Sequence, residues 1–299
     1  MRKRTGPALV QTALAAVLWG TSFPVISVGL KGGLDPRTFV FLRFALAAPL
    51  MLLFTAATGR KTSHLLLSKE VWIIGAFNAA GFLCQFVGQQ YTAASIAALL
   101  INLSVVMAAA GGAIFLGERF GVPKGVGIAL AVVGTVLLTT NGNLGTVGRG
   151  QLLGDFLYLG GAVSWASYIV YAKKKTDQLN WDPVSLAAGI VTVTAILVMP
   201  VALTAGTPRI DETSLWAIVY TGLVNTTIPF VLYQQGLRYL TASSSAVILT
   251  LEIVVAVGVS VVYLGEVLSV LAWVGTATIL SSIFMVSGLE LRKQASTAN

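Results

Sequence analysis

The sequence predicts an all-α integral membrane protein, with ten transmembrane helices arranged as two inverted five-helix repeats. Three observations predict it. Composition is the first: 56% of residues are hydrophobic and 10% charged, with a mean hydropathy of +0.85. A soluble domain carries roughly a quarter charged residues, and this much apolar surface asks for a bilayer as solvent. A duplication is the second. Residues 92–118, TAASIAALLINLSVVMAAAGGAIFLGE, align without a gap with residues 240–266, LTASSSAVILTLEIVVAVGVSVVYLGE. The copies match at Ala94/Ala242, Ser95/Ser243, Ala98/Ala246 and Leu103/Leu251, and both close on Leu-Gly-Glu, ending at Glu118 and Glu266. Such long-period self-similarity fixes an architecture before any local reading does. The third is the placement of Lys and Arg, taken up below.

In chain order, Met1, Arg2, Lys3 and Arg4 form a basic lead into an apolar segment, 8–30. The segment is long and lacks a good cleavage site, so it reads as a first helix and not as a signal peptide. Further spans follow at 36–58, 70–91, 94–116, 121–140, 152–172, 183–205, 213–237, 243–264 and 267–289, each near the ~20 residues a helix needs to cross hydrocarbon. The halves divide as 1–145 and 146–299. They share landmarks in one order: Trp19 and Trp165, Asp35-Pro36 and Asp182-Pro183, a Gln-Gln pair, and Leu-Gly-Glu. With the N-terminus inside, only Lys31, Arg37, Arg149 and Arg209 fall in outer loops, and Arg43 lies within a span. The remaining Lys and Arg gather on the cytoplasmic side, so both termini are expected in the cytoplasm of an inner-membrane protein. This bias accounts for the net charge of +8 without a nucleic-acid partner. Five spans per half is an odd number, so the second half enters the membrane upside down, an arrangement used by transporters.

Polar groups in hydrocarbon are costly and turn toward the bundle interior or a wet cavity. Asn78, Phe82, Gln85 and Gln89 share one face of the third span. They serve either as amides joining neighbouring helices or as a cavity wall for a polar solute, and the cavity is the reading adopted. Thr227, Phe230 and Gln234 form a similar stripe in the eighth span beside Pro229, which removes a backbone donor. Trp19 and Trp165 lie deep, with Ser22 and Tyr168 close by, and either fill space or offer an aromatic wall to a solute. Asn102 of the fourth span and Ser245 of the ninth complete the candidate cavity set. Two intramembrane charges stand apart, Arg43 and Glu252. A lone charge at the membrane centre costs on the order of 3 kcal/mol, so the two either pair with each other or find other partners, and Glu252 is open to a proton or a solute ammonium.

These residues resemble a known family. Trp19-Gly20-Thr21-Ser22-Phe23, Leu42-Arg43-Phe44, Leu251-Glu252 and the paired Leu-Gly-Glu motifs look like the EamA-type members of the drug/metabolite transporter superfamily. The resemblance spans nearly the whole chain. It implies a ten-helix permease with a central cavity formed by both halves, exporting small metabolites, amino acids among them, including aromatic ones. In one place the sequence departs: the family often has Glu-Pro in the ninth helix, whereas Ile253 follows Glu252 here.

Other classes fare worse on the residues. An enzyme needs a reacting constellation, and the one His, His64, falls in a loop. No His/Cys/carboxylate cluster suggests a metal, no Walker sequence suggests ATP, and no cofactor is expected. Cys84 reads as a packing residue. The expectation is a transporter of small metabolites, most simply amino acids, working by alternating access. Its alternatives are export of drugs or nucleoside-like solutes and, from another class, a membrane-embedded enzyme or a non-transporting membrane protein. It is expected to act as a monomer or weak homodimer, with hinge candidates at Gly20, Pro24 and Pro229. Glu252 and Asp155 are the candidate proton sites.

Overall fold

The structure is a computed structural model that describes residues 4–91, 94–119, 121–140, 152–264 and 268–296. Thr92, Gly265, Glu266 and the basic residues Arg2, Lys3 and Arg149 lie outside the described residues, as do the side chains of Ser95, Ala98 and Lys293. The helices in chain order are α1 (Thr5–Gly20), α2 (Ser22–Leu30), α3 (Pro36–Ala57), α4 (Ser63–Leu66), α5 (Lys69–Gly88), α6 (Ala94–Leu116) and α7 (Val122–Thr139). They continue as α8 (Leu152–Leu179), α9 (Pro183–Leu203), α10 (Glu212–Gly222), α11 (Ile228–Leu237), α12 (Ala242–Leu249), α13 (Leu251–Leu264) and α14 (Val270–Ser296). A π-helical turn, Leu223–Thr227, joins α10 to α11.

The two Asp-Pro landmarks are helix starts. Asp35 caps α3 by accepting from the Arg37 amide at 2.8 Å, with Pro36 at the first helical position. Asp182 caps α9 from the Ser185 amide at 2.9 Å, followed by Pro183. A carboxylate satisfies an otherwise orphaned N–H there, and proline costs nothing where no N–H is needed.

Eight described stretches are long and apolar enough to cross a membrane, from Thr5–Leu30 to Val270–Arg292, and Leu100–Leu116 is a shorter apolar helix. At 28 residues α8 has the length, but it is more polar, from Asp155 near its start to Lys173, Lys174 and Lys175 near its end.

The helices do not run unbroken. Thr21 separates α1 from α2 and Thr250 separates α12 from α13. At each break the threonine hydroxyl donates to a carbonyl three residues back, Thr21 to Leu18 at 2.7 Å and Thr250 to Val247 at 2.6 Å. A side chain thus takes up polarity that the helix ladder leaves open.

Packing follows a reciprocal scheme. α1 lies against α11, α12 and α13, while α8 lies against α5 and α6; α3 meets α9, and α7 meets α14. Exchanging α1–α2 with α8, α5 with α10–α11, and α6 with α12–α13 maps these contacts onto themselves. Where α7 and α14 cross, glycine meets glycine: a Cβ on Gly134 would lie 2.8 Å from the Gly275 carbonyl oxygen. Small residues let membrane helices approach this closely.

Polar contacts between helix ends collect at two opposite faces. At one, Arg4 donates to the Tyr239 hydroxyl at 3.0 Å, Lys173 pairs with Asp177 at 2.7 Å, and Arg60 pairs with Asp182 at 3.3 Å. Lys124 there lies 3.6 Å from Glu118 and 3.8 Å from Glu290. At the other, Ser214 donates to the Gly29 carbonyl at 2.7 Å and Arg37 to the Thr204 hydroxyl at 3.0 Å. The start of α1, the end of α8 and the Glu290 end of α14 therefore share one face.

Candidate functional site

A cleft with about 830 Å³ of empty space, its open mouth included, lies among α1, α2, α5, α6, α8 and α13. Trp19, Ser22, Phe23 and Ile26 line it from the first broken helix, and Phe82, Gln85 and Phe86 from α5. Asn102 and Val105 come from α6, Trp165 and Tyr168 from α8, and Thr250, Glu252 and Ile253 from the second break. On α5 and α6 these positions lie toward the ends remote from Glu118, Lys124 and Glu290, and on the second broken helix they lie at the α12–α13 break, the eight residues of α12 beyond the turn that Glu118 holds. The cleft thus occupies the half of the bundle away from that face.

Aromatic rings define its wall. Trp19 meets Tyr233 at 5.6 Å, Tyr233 stacks on Tyr168 at 6.2 Å, and Tyr168 meets Trp165 at 5.8 Å. Trp165 meets Phe82 edge-on at 4.9 Å, Phe82 meets Phe230 at 6.4 Å, and Phe230 returns to Trp19 at 5.5 Å. The circuit is closed and draws on both halves. Edge-to-face contacts of this kind hold rings at fixed angles, so the wall is stiff. Phe230, fully buried, stands behind it.

Arg43 is 1% exposed and reaches the cleft, yet its guanidinium is already engaged. It donates to the Thr226 hydroxyl at 2.6 Å and the Asn225 carbonyl at 2.8 Å, both on the π-helical turn, and lies 4.8 Å from the Phe82 ring centre. A π turn leaves carbonyls off the regular ladder, and here the arginine takes one. The Asn225 side chain in turn donates to the Leu18 carbonyl and, at 2.9 Å, to the Thr21 hydroxyl. Arg43 therefore ties α3 to the π turn, and Asn225 ties the π turn to the break between α1 and α2.

Among the described residues no ion pair joins Arg43 to Glu252, which answers the expectation that the two charges neutralise each other. Glu252 stands in the first turn of α13, and its carboxylate has no hydrogen-bond or ion-pair partner among the described residues. Gly20 packs against its backbone: a Cβ there would lie 2.5 Å from the Glu252 carbonyl oxygen. Three more groups on the wall are buried without a partner among the described residues: the Trp19 Nε1–H, the Asn102 Nδ2 amide and the Tyr233 hydroxyl. Unsatisfied buried donors call for a partner that comes and goes, a water or a solute.

Of the residues singled out in the sequence, Trp19, Ser22, Phe82, Gln85, Asn102, Trp165 and Tyr168 line the cleft with Arg43 and Glu252. The others do not. Asn78 is fully buried and donates to the Thr194 hydroxyl at 2.9 Å, joining α5 to α9. Gln89 sits half-buried at the end of α5, past the cleft. Thr227 turns its hydroxyl back onto the Gly222 carbonyl at 3.1 Å, and Ser245 is buried within α12. Gln234 supports the wall from behind, donating to the Tyr168 hydroxyl at 2.7 Å. Cys84 packs 3.6 Å from where a Gly160 Cβ would be. No group of three His, Cys, Asp or Glu able to hold a metal occurs among the described residues.

The model of the EamA-like transporter family matches residues 6–140 and again 152–288. The chain belongs to the EamA-like transporter family. An uncharacterized transporter of Archaeoglobus fulgidus is 30% identical over 247 residues, covering 79% of this chain and 81% of the relative. A probable terminal-alkyne amino-acid exporter of Streptantibioticus cattleyicolor is 27% identical over 304 residues, 95% of each chain. An uncharacterized inner membrane transporter of Escherichia coli, YedA, is 26% identical over 276 residues, 91% of this chain and 87% of the relative. A crystal structure of a protein superposes with a TM-score of 0.81 at 20% identity, covering 95% of this chain and 98% of that one, which establishes a shared fold.

As an EamA-like protein the chain is a multi-pass membrane transporter, and the family accounts for a small-molecule substrate and a bilayer as its partners. Its relatives carry the names of transporters, not of enzymes. The EamA-like cleft also contains residues that sequence reasoning passed over: Tyr233, Phe86, Ile101 and Thr250. Tyr233 had a legible signal in its place next to Gln234. The apolar members had none, because in a chain this hydrophobic a Phe or Ile facing a cavity looks like one facing lipid.

Proposed function

We propose that the protein exports small amphipathic metabolites, most simply amino acids with aromatic or apolar side chains, through the cleft by alternating access. One observation carries this reading: a rigid aromatic wall bears unpartnered polar groups at Trp19, Asn102 and Tyr233 beside the free carboxylate of Glu252. Rings accept an apolar body, while donors and a carboxylate suit a carboxylate and an ammonium on one small solute. The printed name of the Streptantibioticus relative, an amino-acid exporter, points the same way. In this reading ten spans form two halves, 1–145 and 146–299, inverted relative to each other, with both termini cytoplasmic. The reciprocal packing, the shared face of the α1 start and α8 end, and the positive-inside bias support it. Trp19, Ser22, Phe82, Gln85, Asn102, Trp165, Tyr168 and Glu252 contact solute; Gln234 and Arg43 hold their neighbours in position.

A second reading draws on the asymmetry of the charges. Arg43 is engaged while Glu252 is free, which favours a cationic amphipath without a carboxylate, as many drugs are. Uptake of labelled amino acids and of organic cations into proteoliposomes, at equal and unequal pH, separates the two. Flux of aromatic amino acids supports the first; flux of cations without any amino acid replaces it with the second.

A further inference from the structure

A second cavity lies on the outside of the bundle, between α5, α6 and α8. Its wall is formed by Phe77 of α5, Met107 and Phe115 of α6, and Val163 and Ser167 of α8, and Lys174 closes one end. Phe115 and Val163 are more than half exposed, so the groove faces the surroundings of the bundle and not the central cleft. We propose that it holds one acyl chain of an anionic phospholipid whose phosphate rests on Lys174.

Length is the first support. From Val163 to Lys174 the groove follows eleven residues of α8, roughly 16 Å at the helical rise of ~1.5 Å per residue. That is about half of a ~30 Å hydrocarbon core, the depth of one leaflet.

Charge is the second. Three lysines follow one another near the end of α8, and two are engaged. Lys173 pairs with Asp177 at 2.7 Å; Lys175 reaches Gln178 at 3.3 Å and lies 5.6 Å from the Tyr171 ring centre. Lys174, between them and half-buried, has no hydrogen-bond or ion-pair partner among the described residues. The carboxylate at the start of α5, Glu70, accepts from the Ser68 hydroxyl at 2.7 Å and faces the charges of Lys175 and Lys69, making no ion pair with Lys174 among the described residues. An uncompensated ammonium at the interfacial end of an apolar groove matches a phosphate bearing a net negative charge, and basic pockets between membrane helices bind such headgroups. A zwitterionic headgroup brings its own cation and gains less.

Native mass spectrometry of the full-length protein, equilibrated with equal phosphatidylglycerol and phosphatidylcholine, tests this. The expected result is one retained phosphatidylglycerol, favoured about fivefold, the preference expected of one lysine. Lys174→Gln removes the preference and Lys175→Gln, the same charge change next door, keeps it. Ser167→Phe fills the groove and lowers retention of both lipids, and excess inorganic phosphate does not displace the lipid. Equal retention of the two lipids, a preference that survives Lys174→Gln, equal loss in Lys175→Gln, or displacement by phosphate each overturns the proposal. Melting of each variant without lipid confirms that it is folded.

Discussion

Arg43 and Glu252 look equivalent in the sequence, one charge in each half, and the structure separates them. Arg43 makes two charge-assisted hydrogen bonds to the π turn, each contributing about 1.5–3 kcal/mol. Arg43→Met should therefore lower the thermal stability of the purified protein, losing at least about 2 kcal/mol in a reversible unfolding titration. Glu252 makes no such bond. Glu252→Gln removes an unpartnered carboxylate from a desolvated site, so it should not lower stability, yet it should reduce flux of an ammonium-bearing solute at least fivefold in proteoliposomes. Equal loss of stability in the two variants would contradict this division. Asp35 is a third case, outside the spans: the Arg37 side chain bonded to it holds its carboxyl below the usual range. A carboxyl lowered on folding adds stability above its unfolded pKa, about 4, and loses it as pH falls through the folded value. Melting temperature should fall on acidification below about pH 4, and less steeply in Asp35→Asn. Depth was the part of the site that spacing could not convey. Asn78, Phe82, Gln85 and Gln89 do share a face of α5, as their spacing requires, but only the middle two reach the cleft; Asn78 lies level with Thr194. A period reports direction around a helix and says nothing of what stands opposite each turn.

Helix starts were the most legible elements, because an Asp-Pro pair states its chemistry locally. Asp35→Ala and Asp182→Ala should each destabilise by about 1 kcal/mol, measured by thermal melts in detergent. The interruptions were less legible. Thr21 and Thr250 resemble any other membrane threonine, and the π turn at Leu223–Thr227 has no compositional mark. It also disturbs the stripe through Thr227, since a period of 3.6 does not hold across a π turn, and Tyr233 reaches the wall where Gln234 was expected. The three interruptions are bound together through Asn225, Thr21 and the Gly20 contact with Glu252. Gly20→Val forces a side chain into the Glu252 carbonyl and Val255; strain of this kind costs about 1–3 kcal/mol. Gly275→Leu, at the α7–α14 crossing, should cost at least as much, and protease sensitivity in that pair against the α3–α9 pair would locate the damage.

For the whole molecule, composition and the duplicated stretch made the helical membrane class and the two repeats legible, because both survive without knowledge of side-chain packing, while the basic residues carry the orientation proposed above. Tags on the two termini should be reached from the same side of the membrane, and a tag in the loop between halves from the other. Binding of a solute in the cleft could not be read from an alignment of halves, since the cleft exists only where they meet. The Glu118 contacts bear on how such a machine cycles. From the end of α6, Glu118 accepts from the Ala242 amide at 2.6 Å and from the Ser243 hydroxyl, so one half grips the first turn of a helix in the other. Lys124 and Glu290 close around the same turn. A solute shifts a conformational balance only by its unequal affinity for the two forms. Under the alternating access proposed above, the firmness of this clasp would set the idle time of an unloaded carrier: a tighter one guards against leakage and slows each return stroke, and a looser one hurries the stroke at the expense of the seal.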